Sequence, residues 1–237
     1  MNIVITGASK GIGFELAKLF ALNEENTVIG IARSESLLKD LKNECIKQNL
    51  KSKLRPLVLD LEDLEAIKSS LTTEIANFVD SVDILINNAG FLVNKPFNDT
   101  TVKDINKTFT SNLTSPAIII QTLLPMLCKS NIKHVVNISS MGGFQGSAKF
   151  PGISFYSASK AALASLTECL AEEYKKEQIK FNCLALGAVN TDMLKTAFPG
   201  YNAPLEPKEM AQFIYNFAIN NYKFMNGKVV PVSLSTP

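Results

Sequence analysis

The stretch TGASKGIG, residues 6–13, directly follows the short apolar run NIVIT, residues 2–6, and leads into a pattern of helical period. A strand, a glycine-rich turn and a helix in this order favour a site where backbone amides at the helix start face a pyrophosphate. Gly7 permits the tight turn, Gly11 lets the backbone approach the pyrophosphate, and Gly13 lets the helix pack close to the strand. Taken alone, the spacing GxxxGxG is also compatible with an ordinary strand-to-helix turn.

Short apolar runs rich in β-branched residues alternate with longer stretches of helical period along the chain. The runs predict strands at residues 3–6, 27–32, 54–59, 83–87, 134–139, 179–185 and 228–232. The longer stretches predict helices at residues 12–22, 36–48, 61–78, 102–111, 116–129, 156–178 and 207–220. This alternation predicts a single α/β domain, residues 1–237, with a doubly wound parallel β-sheet and helices on both faces. Residues 196–207, which contain three prolines, predict an irregular segment suited to a substrate lid.

Composition excludes several classes of protein. The 24 Lys and Arg residues nearly balance the 22 Asp and Glu residues, so no nucleic acid partner is expected. The 4 cysteines are widely spaced and His134 is the only histidine, which predicts no disulfide framework, no metal site and a structural role for His134. No leader-like segment is visible at the N-terminus, and the longest apolar stretch, residues 117–127, is shorter than the ~20 residues that span a bilayer. We expect a cytoplasmic protein without a membrane partner.

Two basic residues bear on the dinucleotide that the glycine turn would hold. Arg33 follows the second predicted strand, where an NAD site usually has an acidic residue for the ribose hydroxyls, and Lys10 lies inside the turn. Arg33 is able to pair bidentately with a 2′-phosphate and Lys10 adds a second positive charge, so NADP(H) is favoured over NAD(H). Both could instead be solvated surface cations. Asp60, at the end of the third predicted strand, is a candidate acceptor for the adenine amine or, equally, the N-cap of the next helix.

A candidate proton-transfer pair lies in FYSASKAAL, residues 155–163. Tyr156 and Lys160 are four residues apart at the start of a predicted helix, which places both side chains on one face. A tyrosine with a pKa near ~10 exchanges protons poorly at neutral pH unless a cation stabilises its phenolate, and Lys160 would supply that cation. Tyr156 would then donate a proton to a carbonyl oxygen during hydride transfer, or accept one in reverse. A surface Tyr and Lys on an amphipathic helix is the alternative for the YxxxK pattern taken alone.

Further polar residues lie where predicted strands end. Ser140, in VVNISSMGG at residues 135–143, lies at the carboxyl edge of the sheet, where open α/β folds bind ligands. Its hydroxyl is a candidate for holding a substrate oxygen, with the neighbouring Ser139 as the alternative. NNAG, residues 87–90, ends the fourth strand. Asn112 lies between two predicted helices and indicates either a local break whose freed carbonyl holds a water in a proton relay, or a simple N-cap.

In this order the motifs resemble those of the short-chain dehydrogenases/reductases, from residue 2 to about residue 193: TGASKGIG, Asp60, NNAG, Asn112, ISSMGG, YSASK and LGAVNTDM. The resemblance implies a Rossmann-type fold, interconversion of a carbonyl and an alcohol by hydride transfer, and a homodimer or homotetramer. It also implies a catalytic tetrad of Asn112, Ser140, Tyr156 and Lys160, with Lys160 also bonding the nicotinamide ribose and with Val189 and Thr191 at the carboxamide. The full set of expected cofactor-binding residues is Gly7, Ser9, Lys10, Gly11, Ile12, Gly13, Arg33, Asp60, Leu61, Asn88, Ala89, Gly90, Tyr156, Lys160, Val189 and Thr191.

Three departures from the family pattern bear on the substrate and on assembly. Leu186-Gly187 replaces the usual Pro-Gly after the sixth strand, so the turn beside the nicotinamide is either looser or still closed by its backbone. The loop between Ser140 and Tyr156 is long and contains the insertion GSAKFPGIS. The glycine pair usual near the C-terminus is absent, and the chain ends in a short polar tail, so a tetramer contact there is not supported.

Three functions are compatible with these features. The first is an NADP(H)-dependent carbonyl reductase or alcohol dehydrogenase for a small or medium apolar substrate. The pocket candidates, which equally fit ordinary packing, are Phe144, Phe150, Phe155, Met193 and Phe198. The second is a 3-oxoacyl-thioester reductase of lipid synthesis, for which no concentrated basic patch that would hold an acidic carrier protein is visible. The third, a non-catalytic dinucleotide sensor, is disfavoured because both Tyr156 and Lys160 are present.

Overall fold

The computed structural model describes residues 1–234 and contains a parallel sheet of seven strands. The strands are β1 (Asn2–Thr6), β2 (Thr27–Ala32), β3 (Lys53–Val58), β4 (Ile84–Asn87), β5 (His134–Ser140), β6 (Lys180–Leu186) and β7 (Lys228–Val232). Their order in the sheet is β3-β2-β1-β4-β5-β6-β7, with every neighbouring pair parallel. The doubly wound, Rossmann-type fold expected from the sequence is confirmed. The end of the polar tail, residues 235–237, lies outside the described residues.

The helices that flank this sheet are α1 (Gly11–Ala21), α2 (Glu35–Gln48), α3 (Leu64–Ala76), α4 (Val102–Phe109), α5 (Ser115–Cys128), α6 (Ser154–Glu173), α7 (Asp192–Ala197) and α8 (Pro207–Asn220). Three of them, α3, α6 and α7, differ from the sequence prediction by more than two residues at one end or were not predicted. α3 begins three residues later than expected because the Asp63 side chain accepts the N–H of Ala66 at 2.9 Å and caps the helix. Asp60 is therefore not the N-cap. α7 was not predicted, since its 6 residues are too few for a periodic pattern.

Alternate residues of the central strands face two separate apolar cores. In β1, Ile3 and Ile5 are buried in a core that includes α1, α2 and α8. Val4 lies between them in sequence and is buried on the other face, in a core that includes α3 and α5. Successive side chains of a strand point to opposite faces, so strands covered on both sides must be apolar at nearly every position. The runs IVI and ILI have this property.

The helices expected at residues 102–111 and 116–129 are one continuous segment, Val102–Cys128. α4 and α5 are joined by a π turn, Thr110–Thr114, in which the N–H of Ser115 bonds the carbonyl of Thr110 five residues earlier. The segment is therefore longer than the apolar stretch read from the sequence, and by length and composition it could cross a bilayer. Half of its most apolar part is buried within the fold, as in the core helices of globular proteins.

His134 is buried at the start of β5 and faces away from the carboxyl edge of the sheet. Its Nδ1 lies 2.9 Å from the carbonyl of Ala218, and its Nε2 lies 3.1 Å from the side-chain amide of Asn182. These partners fix a neutral ring with the proton on Nδ1, because Asn182 donates to Nε2. Burial lowers the pKa of His134 to about 4.

We expect the free energy of unfolding to fall by about 2 kcal/mol between pH 7.5 and pH 5. In this window the unfolded chain protonates its histidine, whose ordinary pKa is 6.5, whereas the folded chain holds it neutral down to about pH 4. The loss is attributable to His134 because the chain has only 1 histidine. Urea unfolding of wild type and of His134→Gln at both pH values tests this. A wild-type stability that does not change, or an equal loss in the variant, contradicts it.

Candidate active site

A cleft of about 660 Å³ opens at the carboxyl ends of the strands. Its centre lies where β1 and β4 are neighbours, with β2 and β3 on one side and β5 to β7 on the other. Open α/β sheets bind ligands at this switch point. The expected site residues that line the cleft are Gly7, Ser9, Lys10, Gly11, Ile12, Arg33, Asp60, Leu61, Asn88, Ala89, Gly90, Ser140, Tyr156, Lys160, Val189 and Thr191. Gly13 and Asn112 do not line the cleft.

The glycine turn closes the cleft at the end of β1. Gly7 has a left-handed φ of +69°, and a Cβ on it would lie 2.9 Å from Cα of Ala89. A Cβ on Gly13 would lie only 2.3 Å from the carbonyl oxygen of Gly7. α1 therefore approaches the end of β1 more closely than any side chain at residue 13 allows. Gly13 has the packing role expected of it, and its assignment as a cofactor contact is not supported by its position.

The start of α1 has no side-chain cap. Its N-cap residue, Lys10, makes no capping hydrogen bond, and no acidic residue lies in the first turn. By contrast, α2, α3 and α4 are capped by Ser34, Asp63 and Thr101. First-turn N–H groups without a side-chain acceptor favour an anion, through hydrogen bonds and through the helix dipole. Because Gly11 borders the cleft, the residues present fit the pyrophosphate of a dinucleotide.

Thr6 positions the strand ends on either side of the switch point, a role that the sequence analysis missed. Its Oγ1 accepts the N–H groups of Asn88 and Ala89, each at 3.0 Å. The Asn88 side chain returns a hydrogen bond to the Thr6 carbonyl, also at 3.0 Å. These contacts join the glycine turn to NNAG. The position of Thr6 at the carboxyl end of β1, the edge where ligand-binding residues lie, is the sequence feature from which this role could have been predicted.

The two cations expected at the adenosine ribose are each paired with a carboxylate. Arg33 Nη1 lies 3.4 Å from Glu62 Oε1, and Lys10 Nζ lies 3.7 Å from Asp192 Oδ2. The Arg33 and Lys10 side chains are 62% and 60% exposed. Exposed pairs of this kind contribute only ~0–1 kcal/mol, so a phosphate dianion is able to displace either carboxylate. Asp60, also in the cleft, accepts the N–H of Glu62 at 3.0 Å.

Ser140, Tyr156 and Lys160 meet in the cleft beyond the glycine turn. β5 ends at Ser140 and α6 begins two residues before Tyr156, so one turn of α6 brings Lys160 to the Tyr156 ring. Lys160 Nζ lies 5.9 Å from the centroid of that ring. The Ser140 hydroxyl neighbours the Tyr156 hydroxyl and influences its pKa, and Ser140 Oγ accepts the N–H of Gly142 at 3.2 Å.

Burial sets the pKa values of this pair. It raises the pKa of Tyr156 above its ordinary value, and the neighbouring Ser140 hydroxyl opposes the rise without cancelling it. Burial also lowers the pKa of Lys160 to about 8, and its ammonium donates to the carbonyl of Ile138 at 2.8 Å. The net direction of the Tyr156 pKa is upward because burial has the largest effect on it, and the lowering expected from Lys160 stays a prediction. The phenol is protonated at neutral pH.

Ser139, the alternative to Ser140, has a different partner. Its Oγ donates to the backbone carbonyl of Lys160 at 2.8 Å and its side chain is buried. Behind it lies Cys183, whose thiol pKa burial raises to about 11. Ser139 therefore fixes the position of α6 on β5, and Ser140 is the serine whose hydroxyl meets Tyr156.

Asn112 is fully buried in the π turn behind the cleft. Its Oδ1 accepts the N–H of Phe91 at 2.7 Å, and its Nδ2 donates to the Phe91 carbonyl at 2.9 Å and to Ser159 Oγ at 3.0 Å. The alternative that Asn112 is an N-cap is wrong, because the helix continues through it. Its side chain joins the segment after β4 to the π turn and to α6. Its part in a proton relay stays a prediction.

Apolar side chains form the mouth of the cleft beyond Tyr156. They include Phe150, Met193, Phe198 and Tyr201. Phe144 and Phe155, which were also expected there, do not line the cleft, and Phe155 stacks on Phe97 with ring centroids 5.5 Å apart. Phe198 and Tyr201 come from the irregular segment expected to act as a lid, whose first residues complete α7.

The turn after β6 is closed rather than loose. The N–H of Gly187 donates to the carbonyl of Val232 at 2.8 Å, directly beyond the pairing of Leu186 with Val232. Of the two possibilities at Leu186-Gly187, the structure has the closed backbone.

Residues 1–202 match the family model described as short chain dehydrogenase. Dehydrogenase/reductase SDR family member 7B of Xenopus laevis is 36% identical over 202 residues, which are 84% of this chain and 61% of that protein. A fatty acyl-CoA reductase of Acinetobacter baylyi is 33% identical, over 89% of this chain and 70% of that protein. A 3-oxoacyl-[acyl-carrier-protein] reductase of Chlamydia muridarum is 27% identical, over 97% of this chain and 94% of that protein. The chain thus spans about three fifths of the length of the Xenopus relative.

Solved structures agree with these relatives. A short chain dehydrogenase from Shigella flexneri, complexed with NADP, superimposes with a TM-score of 0.87 at 26% identity, covering 97% of this chain and 95% of that one. The family model covers most of the chain, and the cleft has the glycine turn and the Ser140, Tyr156 and Lys160 group in the expected positions. This chain belongs to the short chain dehydrogenase family of oxidoreductases.

Proposed function

We propose that this protein is an NADPH-dependent reductase of an uncharged, apolar carbonyl compound. The observation that carries the proposal is the grouping of Ser140, Tyr156 and Lys160 in one cleft. The Lys160 ammonium lies 5.9 Å from the centroid of the Tyr156 ring, and the cleft also contains the uncapped start of α1. A raised phenol pKa keeps Tyr156 protonated, which is the form that carbonyl reduction requires.

The chain's own residues would move one proton and stabilise one anion. A bound nicotinamide supplies the hydride that reaches the carbonyl carbon. The Tyr156 phenol donates its proton to the carbonyl oxygen, and Ser140 orients that oxygen by a hydrogen bond. Lys160 stabilises the phenolate that remains until a solvent proton replaces the one transferred.

Arg33 and Lys10 support NADP(H) as the dinucleotide. Both border the cleft, Arg33 directly after β2 and Lys10 at the start of α1. Each makes one ion pair with a carboxylate, and both basic side chains are largely exposed. An acidic residue in place of Arg33 would repel a 2′-phosphate. The Shigella flexneri structure complexed with NADP is consistent with this assignment.

Arg33→Asp should weaken NADPH binding by about 10- to 100-fold, because a charge-assisted pair is lost and a repulsive carboxylate is added. NADH binding should change by less than about 3-fold or improve. Fluorescence titration of both dinucleotides gives the two dissociation constants. Lys42→Asp on the exposed face of α2 makes the same charge change away from the cleft and should alter neither constant. An unchanged ratio of NADPH to NADH affinity in Arg33→Asp removes Arg33 from the site.

The substrate end of the cleft supports an apolar carbonyl compound. Phe150 and Tyr201 are 52% and 49% exposed at the mouth, a high exposure for aromatic side chains that border a cleft. The names of two relatives, the fatty acyl-CoA reductase and the 3-oxoacyl-[acyl-carrier-protein] reductase, favour acyl thioesters as a second candidate class.

A panel of ketones, diketones, aldehydes and 3-oxoacyl thioesters, each with NADPH and with NADH, tests the function. We expect NADPH-dependent reduction within at least one of these classes. The loss of absorbance of the reduced nicotinamide measures this reduction. Activity confined to 3-oxoacyl thioesters would select the second candidate. Tight NADPH binding without turnover of any compound would instead favour the non-catalytic sensor.

A further inference from the structure

The insertion between β5 and α6 contains an exposed lysine, Lys149, whose ammonium bonds three acceptors of the same loop. Lys149 Nζ donates to the carbonyl of Phe144 at 2.6 Å, to the carbonyl of Gly142 at 3.0 Å and to Ser147 Oγ at 2.9 Å. An ammonium has three donors, and these three acceptors use all of them. The Lys149 side chain therefore cross-links the loop rather than presenting a cation to the cleft.

The cross-link connects to the reacting group through one residue. Gly142, whose carbonyl bonds Lys149, donates its own N–H to Ser140 Oγ at 3.2 Å. Ser140 in turn neighbours the Tyr156 hydroxyl and influences its pKa. Hydrogen bonds thus run from Lys149 through Gly142 to Ser140, the residue next to the Tyr156 hydroxyl.

Two other contacts hold the turn at Gly142, since the Phe144 N–H and the Ser147 hydroxyl both bond the carbonyl of Met141. Residues 141–143 form one short 3-10 turn, and residues 144–153 contain no regular element. Backbone carbonyls in such a segment need partners from outside regular structure, and the charged donor of Lys149 gives stronger hydrogen bonds than a neutral one. The Ser147 hydroxyl adds a bond to the Phe144 carbonyl at 2.9 Å on the same side.

We propose that Lys149 is a positioning residue that holds the Gly142 N–H against Ser140 and so fixes the direction in which Ser140 presents its hydroxyl. The inference rests on the proposed function, because Ser140 and Tyr156 are its targets. Loss of Lys149 releases the Gly142 and Phe144 carbonyls, and the Ser140 hydroxyl samples orientations that do not serve the carbonyl oxygen.

Lys149→Met keeps most of the length of the side chain and removes its donors. We expect kcat for carbonyl reduction to fall about tenfold with an unchanged NADPH dissociation constant, since the dinucleotide end is untouched. Lys149→Arg, which retains a charged donor, should recover part of the loss. Lys195→Met on α7, an exposed lysine at the same end of the molecule, is the matched control and should have wild-type kcat.

A double-mutant cycle with Ser140→Ala separates positioning from general loop stability. If Lys149 acts through Ser140, Lys149→Met has no further effect on kcat once Ser140→Ala is present. Independent, multiplicative losses overturn the inference, as does a wild-type kcat in Lys149→Met, while the proposed function stands. A wild-type protein that reduces no carbonyl compound overturns both. If Lys149→Met lowers the melting temperature, Lys149→Gln, which keeps an N–H donor without charge, is carried through the same cycle.

Discussion

Tyr156→Phe should lower kcat/KM for carbonyl reduction by about 10³-fold or more, because it removes the hydroxyl proposed to donate the proton while keeping the ring. The dissociation constant for NADPH should stay within about 3-fold of wild type, because α1 and Arg33 are unchanged. Steady-state kinetics and fluorescence titration give the two quantities. The raised phenol pKa also predicts how the two rates depend on pH. Reduction should persist well above neutral pH. Alcohol oxidation should accelerate as pH rises, since oxidation needs the phenolate.

Tyr174→Phe is the matched control for this variant. Tyr174 follows the other end of α6 and packs on Phe181 with ring centroids 6.0 Å apart, so its hydroxyl is far from the cleft. It should leave kcat/KM unchanged. A Tyr156→Phe enzyme that keeps more than about a tenth of the wild-type kcat/KM would show that another group protonates the product.

Lys160→Met should reduce kcat/KM by about 10³-fold, because the phenolate loses its nearest cation. The same change should leave the unfolding free energy of the ligand-free protein at pH 7 equal to wild type or higher. Burial lowers the pKa of Lys160 to about 8, so keeping this side chain charged at pH 7 costs on the order of 3 kcal/mol relative to the unfolded chain. Removing the charge recovers that cost, and losing the hydrogen bond to Ile138 offsets part of the gain.

The pH dependence of stability separates this account from a simple packing defect. Between about pH 8 and pH 10.5 the unfolded chain keeps the Lys160 proton that the folded chain has lost, so the wild-type contribution from this group rises with pH. Lys160→Met should lose that rise, and Lys176→Met, an exposed lysine beyond the end of α6, should keep it. Urea unfolding at pH 7 and pH 10 measures the difference. A large loss of stability in Lys160→Met at pH 7 would contradict the account.

The sequence predicted the strands closely because each one is a short apolar run ended by a glycine or a polar residue. Thr27–Ala32 and Lys228–Val232 have the bounds expected, and the remaining strands begin and end within one residue of them. The glycine turn was informative because Gly7 and Gly13 occupy positions where a side chain would collide with backbone atoms. The residue types within each strand and in the glycine turn were therefore sufficient to predict the architecture.

The features that escaped prediction depend on contacts between distant segments. The sequence indicated a possible break at Asn112 but not the π turn, in which the Asn112 side chain bonds Phe91, 21 residues earlier in the chain. The four-residue spacing of Tyr156 and Lys160 predicted that they are neighbours, but the direction of their pKa shifts depends on burial, which spacing does not report. Likewise, the insertion around Lys149 could be located in the sequence, whereas its hydrogen bonds to Gly142 and Phe144 follow from the path of the loop.

The most direct test of hydride transfer from NADPH to a carbonyl carbon uses labelled dinucleotide. Reduction of an active substrate with NADPH carrying deuterium at either C4 position, followed by mass spectrometry of the alcohol, traces the transferred atom. We predict that one of the two labelled forms, and only one, yields an alcohol with deuterium on its carbinol carbon, and that Tyr156→Phe forms this product at least about 10³-fold more slowly. An alcohol that carries no deuterium from either form would contradict the account.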